Sequence, residues 1–215
     1  MAGPEPSRDP AVLITFDDGM ADFATAALPA LEDAGLPATL YVTTGFLDDA
    51  SPRPTAGRPE GPWLDSRSVA DLPAHGIEIG AHSQTHPHLD TLSAARARDE
   101  VGRPKAILEE ILGAPVQSFA YPHGYSSRSI RARVRECGYT SACAVKNALS
   151  HPKDDRFALA RLTVTAETSL AQVEEWLRGR EAPIATSNEH VRTRAWRAYR
   201  RGRAVVRRQP GSDWA

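Results

Sequence analysis

The chain has 215 residues, 41% of them hydrophobic and 25% charged, with 26 basic against 27 acidic side chains. This is the profile of one globular domain with enough chain to bury a core, and the near-zero net charge says nothing by itself about an anionic partner. Two cysteines, Cys137 and Cys143, exclude a disulfide framework, and no stretch approaches the roughly 20 apolar residues of a membrane span.

The start, MAGPEPSRDP, lacks a basic segment followed by an apolar run, so it reads as an N-terminal arm over residues 1–10 and predicts a cytoplasmic protein. Residues 11–16 (AVLITF) form an apolar, β-rich run that reads as a buried strand, with Asp17-Asp18-Gly19 at its exit. Helical spacing over 23–34 stops at Gly35, and residues 38–43 (ATLYVT) are a second strand. Residues 48–62, rich in Pro, Gly and Asp, form a surface loop. A short helix over 66–75 precedes a third strand, 77–81, followed directly by His82. A long helical pattern covers 93–112, and Pro104 inside it predicts a kink or a split. Further strands are expected over 116–121, 139–145 and 159–164, with helices over 129–137 and 170–177. Alternating strands and helices predict an α/β fold with a mainly parallel sheet. In such folds the C-terminal ends of the strands share one rim, so Asp17-Asp18, His82 to His86 and Tyr121 to Gly124, each after a strand, should meet in space.

His82-Ser83-Gln84-Thr85-His86 places two imidazoles four residues apart, a spacing that suits two metal ligands but also arises by chance. Asp17-Asp18 alone reads equally as a turn with a helix cap. Together they change meaning. Two histidines and one carboxylate are a three-ligand set that leaves positions open for water and substrate. The second carboxylate is then free to take a proton from a water acidified by the metal.

Thr15-Phe16-Asp17-Asp18-Gly19 and His82-Ser83-Gln84-Thr85-His86-Pro87 resemble the first two signatures of the polysaccharide deacetylases (the NodB-type homology domain, carbohydrate esterase family four). Gly76 to Ala81 resembles the usual approach to the histidine motif, and Phe119-Ala120-Tyr121-Pro122-His123-Gly124 resembles the third signature. The resemblance covers roughly residues 11–180 and implies a distorted, incomplete (β/α) barrel. It implies that Asp18, His82 and His86 hold a divalent metal, usually zinc, with cobalt or manganese accepted by relatives. It implies that Asp17 is the catalytic base, that the His123 N–H helps to bind an oxyanion, and that Tyr121, Pro122 and Gly124 contribute to substrate binding. The implied activity is removal of acetyl groups from an N-acetylated sugar or polysaccharide of cell-envelope or exopolysaccharide type.

The chain departs from the family pattern at three places. Ala120 stands where many members carry an Arg that steadies the base, as in a Phe-Ala-Tyr-Pro branch, and Arg161 is the expected substitute. His123 stands where many relatives carry Tyr. The late signature that supplies a general acid is not clear, and Leu149-Ser150-His151 offers His151 for that role. His88 extends the histidine cluster without a family role, while His75 and His190 read as surface residues.

Residues 181–215 form a basic tail. Within it Arg192, Arg194, Arg197, Arg200, Arg201, Arg203, Arg207 and Arg208 are interleaved with Trp196, Tyr199, Val205 and Val206. Such a segment packs on the barrel, stays solvated, or lies peripherally on an anionic membrane, with nucleic acid the less favoured partner. Two rival functions are open: hydrolysis of another amide, imide or O-acetyl ester, and an inactive carbohydrate-binding relative.

Overall fold

The computed structural model describes residues 12–49, 61–151 and 154–183, with residues 196, 198–200, 202 and 203 of the tail. The N-terminal arm, most of the 48–62 loop and most of the basic tail therefore lie outside the described residues, as does His190.

Five strands, β1 (Ile14–Phe16), β2 (Ala38–Val42), β3 (Ile77–Ala81), β4 (Ser118–Ala120) and β5 (Ser141–Cys143), form one sheet in the order β1-β2-β3-β4-β5. Every pairing is parallel. A doubly wound sheet reverses its strand order part-way, whereas strictly sequential parallel strands belong to the (β/α) barrel. Stopped after five strands, the sheet curls into a half-barrel, the distorted and incomplete barrel expected. The apolar runs that named the strands supply one side of its core, with Leu40, Val42, Ile77, Val116 and Phe119 sealed from solvent, and the helices pack Val101, Leu108 and Val134 against them.

The crossovers are helical. A π-turn over Phe23–Ala27 leads into α1 (Leu28–Ala34), and α2 (Ser66–Asp71) continues as a 3-10 turn to His75. Then come α3 (Ala94–Leu112), α4 (Arg128–Glu136) and α5 (Leu170–Leu177). Asp65, Ser93, Ser127 and Ser169 each cap a helix N-terminus by accepting the backbone N–H three residues on, satisfying donors that the helix itself leaves open. No helix of the described residues is long and apolar enough to cross a membrane.

Three expectations are corrected. Pro104 does not split α3; the helix runs through it for 19 residues. The 159–164 strand does not form: only Leu159 makes a bridge, parallel to Cys143. Ser150 Oγ takes both backbone groups of Ala160, accepting its N–H at 2.9 Å and donating to its carbonyl at 3.0 Å, so no ladder can continue there. Strand β1 begins at Ile14 rather than at residue 11, since Val12 and Leu13 project into solvent.

Candidate active site

The chain leaves β1 into Asp17 and Asp18, the latter with φ of 77°, a left-handed turn in which Asp is among the more tolerant residues. The Asp18 carbonyl accepts the N–H of Thr43, just beyond β2, at 3.0 Å. The chain leaves β3 into His82, whose N–H donates to the Val42 carbonyl at 2.9 Å. His82 Nδ1 lies 2.9 Å from the Ala120 carbonyl at the end of β4. A carbonyl only accepts, so Nδ1 carries a proton and Nε2 is the nitrogen that faces the site. His86 returns to the same point after a tight loop in which its N–H donates to Ser83 Oγ at 3.0 Å.

The convergence is close. Asp18 Oδ1 lies 3.5 Å from His82 Nε2 and 3.4 Å from His86 Nε2, and the two Nε2 atoms are 3.2 Å apart. Three ligands at ~2.0–2.1 Å from a tetrahedral ion would be separated by about 3.3 Å. Asp18 Oδ1 is buried and has no hydrogen bond, an arrangement that costs stability unless a cation lies nearby. Burial holds the Asp18 carboxyl above its ordinary value; His82 pulls it down and the charge of Asp17 pushes it back up. Burial, with His82, His123 and His88 alongside, pushes His86 down to about 2, which keeps the ring in its neutral, ligand form. By distance, donor chemistry and the orphaned oxygen, Asp18, His82 and His86 fit a divalent metal.

Asp17 stands beside this triangle, its Oδ2 3.8 Å from His82 Nε2. Its carboxylate meets Arg161 in a fork, Nη1 to Oδ1 and Nη2 to Oδ2, each 2.7 Å, and Nη1 also donates to Thr15 at 3.0 Å. Burial raises the Asp17 carboxyl, but His82 and the Arg161 fork together outweigh that and hold it below the ordinary carboxylate value. Arg161 is delivered by the segment beside β5, where the Leu159 N–H donates to Ala142 and its carbonyl accepts from Ala144. The fork therefore joins the last part of the half-barrel to its first strand through a side chain.

Tyr121, Pro122, His123 and Gly124 form a tight turn after β4. Tyr121 is sealed in the core, its hydroxyl donating to the Phe157 carbonyl at 2.9 Å, and Pro122 and Gly124 are also buried, so these three shape the turn that presents His123. His123 has φ of 56°, and its ring sits between His86 (centroids 4.6 Å) and His88 (4.0 Å). Burial, then His88 and His82, push its imidazole down to about 4. His151 lies on an exposed loop whose backbone is tied to Asp154.

Two contributors were not singled out from the sequence. Glu100, on α3, accepts three hydrogen bonds on its carboxylate from Gln84 and Thr85 inside the histidine loop. Its acidic type within a buried helix face, four residues before a proline, was the available signal. Arg200, one of many tail arginines, carried no distinguishing mark. It donates to His88 Nδ1 at 3.0 Å and to Asp90 Oδ2 at 2.9 Å, and lies 3.9 Å over the Tyr125 ring.

Comparison with known proteins gives the family and the fold. A family model described as polysaccharide deacetylase matches residues 5–142. The Bacillus subtilis (strain 168) protein YxkH, provisionally named a polysaccharide deacetylase, is 24% identical over 155 residues, covering 72% of this chain and 51% of its own. A chitin deacetylase of Pestalotiopsis sp is 27% identical over 144 residues, covering 66% of this chain and 44% of its own. The chain thus spans about half the length of the curated relatives it matches. Among solved structures, the Streptococcus pyogenes deacetylase PplD superposes with a TM-score of 0.70 at 22% identity, over 79% of this chain and 71% of that one. A de-N-acetylase from Aggregatibacter actinomycetemcomitans gives 0.68 at 19% identity, over 79% and 77%. At these identities the structural likenesses show the fold.

Proposed function

Because this chain belongs to the polysaccharide deacetylase family, we propose that it is a metal-dependent hydrolase that cleaves the acetamide of an N-acetylated sugar or polysaccharide to the free amine and acetate. The observation that carries the reading is the Asp18–His82–His86 triangle with an ionised Asp17, held by Arg161, at its side. A divalent cation bound by Asp18, His82 and His86, zinc foremost and cobalt or manganese as substitutes, supplies Lewis acidity, polarising a carbonyl and lowering the pKa of water.

The chain's own residues do the rest. Asp17, kept charged by Arg161, takes the proton of the attacking water. The backbone N–H of His123, in the turn after β4, is the group assigned to the oxyanion that develops on the acetyl oxygen. Glu100 and Ser83 keep His86 in place, and the Ala120 carbonyl keeps the His82 tautomer. His151 is the group assigned to protonate the leaving amine.

The test is acetate release from N-acetylglucosamine oligomers and from acetylated xylan, with zinc or cobalt returned after chelation and Asp17→Asn as control. Metal-dependent release from the N-acetylated oligomers, lost in Asp17→Asn, is the expected result. Release from xylan alone would assign an O-acetyl esterase, and no release by a metal-loaded chain would leave a carbohydrate-binding relative.

A further inference from the structure

Proline 104 lies in the middle of α3, on its buried side, where a helix ordinarily excludes it. In a regular α-helix the N–H of residue 104 would bond to the carbonyl of Glu100. Proline has no N–H, and its ring presses on that same carbonyl. The Glu100 carbonyl is used elsewhere: it accepts the N–H of Gln84, 3.1 Å away in the His82–His86 loop.

The side chain of Glu100 closes on the same stretch. Its Oε2 accepts the N–H of Gln84 at 3.0 Å and of Thr85 at 2.8 Å, and its Oε1 accepts the Thr85 hydroxyl at 2.7 Å. One residue thus grips two consecutive loop residues through its backbone and its carboxylate together. Those two residues lie between His82 and His86. On either side of them the backbone is left-handed, with φ of 67° at Ser83 and 56° at His86, conformations that non-glycine residues adopt only when the surroundings impose them. The opposite side of the loop is met by the Gly45 N–H, which donates to the Gln84 carbonyl at 2.7 Å, and by the Thr44 hydroxyl on Gln84 Oε1 at 2.8 Å.

We propose that Glu100 and Pro104 form a bracket that sets the His82–His86 loop in its ligand-holding shape, Pro104 acting by releasing the Glu100 carbonyl from the helix ladder. Both are positioning residues: neither reaches the site, and both act through the loop that does. The inference rests on reading Asp18, His82 and His86 as a metal site, and it explains why α3 carries a residue that its own helical stability disfavours.

A proline that merely fills space predicts the opposite pattern. Replacing it with alanine restores a helical N–H and favours the helix, with nothing lost at the site. The bracket predicts that the same replacement recaptures the Glu100 carbonyl and loosens the loop.

The experiment uses the full chain, stripped of metal and titrated with zinc against a competing chelator, as wild type, Pro104→Ala and Glu100→Gln. Pro104→Ala is expected to unfold at the same or a higher urea concentration and yet bind zinc about 3- to 10-fold more weakly. Glu100→Gln is expected to weaken zinc about 10- to 100-fold, the range for groups that orient metal ligands. Amide hydrogen exchange at Gln84 and Thr85 in the metal-free protein should quicken in both variants. Wild-type zinc affinity and unchanged exchange in Pro104→Ala would overturn the bracket, and since that variant favours the helix, misfolding does not blur the result. If the wild type binds no zinc, the metal reading falls, while the exchange comparison still decides whether Pro104 holds the loop through Glu100.

Discussion

Arg161 and Asp17 face each other across 144 residues of sequence, joined by two parallel N–H···O bonds of 2.7 Å. A forked pair of this kind fixes both the direction and the charge of the carboxylate. Replacing Arg161 with alanine removes a cation that holds the Asp17 carboxyl down, so its pKa rises. On the proposed function Asp17 works only when ionised, so the acid limb of the pH–rate profile should move to higher pH. At neutral pH kcat should fall about 10- to 100-fold, a fraction of what a general base supplies. Arg161→Lys, with one point charge in place of a fork, should fall between. An Arg161→Ala enzyme with the wild-type pH profile would remove Arg161 from the catalytic machinery.

Metal binding should be visible as stability. Zinc at about 100 times its dissociation constant adds about 2.7 kcal/mol to the folded state. For a domain of this size that is roughly 5–10 °C in thermal midpoint. Differential scanning fluorimetry should show the shift in the wild type and lose it in Asp18→Asn and His86→Ala. A shift that persists in both variants would place the ion elsewhere.

Gly124 should not accept a side chain. Its φ is 69°, and a Cβ there would sit 2.3 Å from Val145 Cβ. Overpacking together with the left-handed penalty should cost about 2–4 kcal/mol in Gly124→Ala. Urea denaturation gives the value, and a cost below about 0.5 kcal/mol, the size of an ordinary surface change, would mean the turn is looser than drawn.

The tail contact at the histidine cluster is also measurable. Asp90 has a fully covered side chain, and Arg200 lies 2.9 Å from its carboxylate. Arg200→Ala removes a cation from beside that buried charge and should destabilise the fold by up to about 3 kcal/mol. In an Asp90→Asn background the same change should cost much less, because the charge to be compensated is already gone. Strictly additive losses in this double-mutant cycle would show that the two residues do not act as a pair.

Much of the site was legible because its parts follow a local rule. Asp17-Asp18, His82 and Tyr121-Pro122-His123 each come directly after an apolar run, and parallel strands carry such exits to one rim. The sequential strand order agreed with the barrel that the motifs implied. What was not legible depended on partners distant in sequence. The run over 159–164 looks like a strand, but Ser150 captures Ala160 and leaves only Leu159 on the sheet. Pro104 reads locally as a helix breaker, and only the Gln84 N–H, 20 positions earlier, gives the freed carbonyl a use. Arg200 looks like its neighbours in the tail until Asp90 and His88 are seen beneath it.

The sequential order of the strands carries a consequence for synthesis. Chains are made from the N-terminus at about 5–20 residues per second, and domains generally fold as units. Asp18, His82, His86, Glu100 and Pro104 all precede β4, whereas His123, Arg161 and Arg200 follow it. A nascent chain therefore carries the three residues proposed as metal ligands, with Glu100 and Pro104, before Arg161 has been made. The side-chain fork on Asp17 can close only when a residue 144 positions further on has been translated, so on the proposed function the group that would act as base is among the first made and the last to be set.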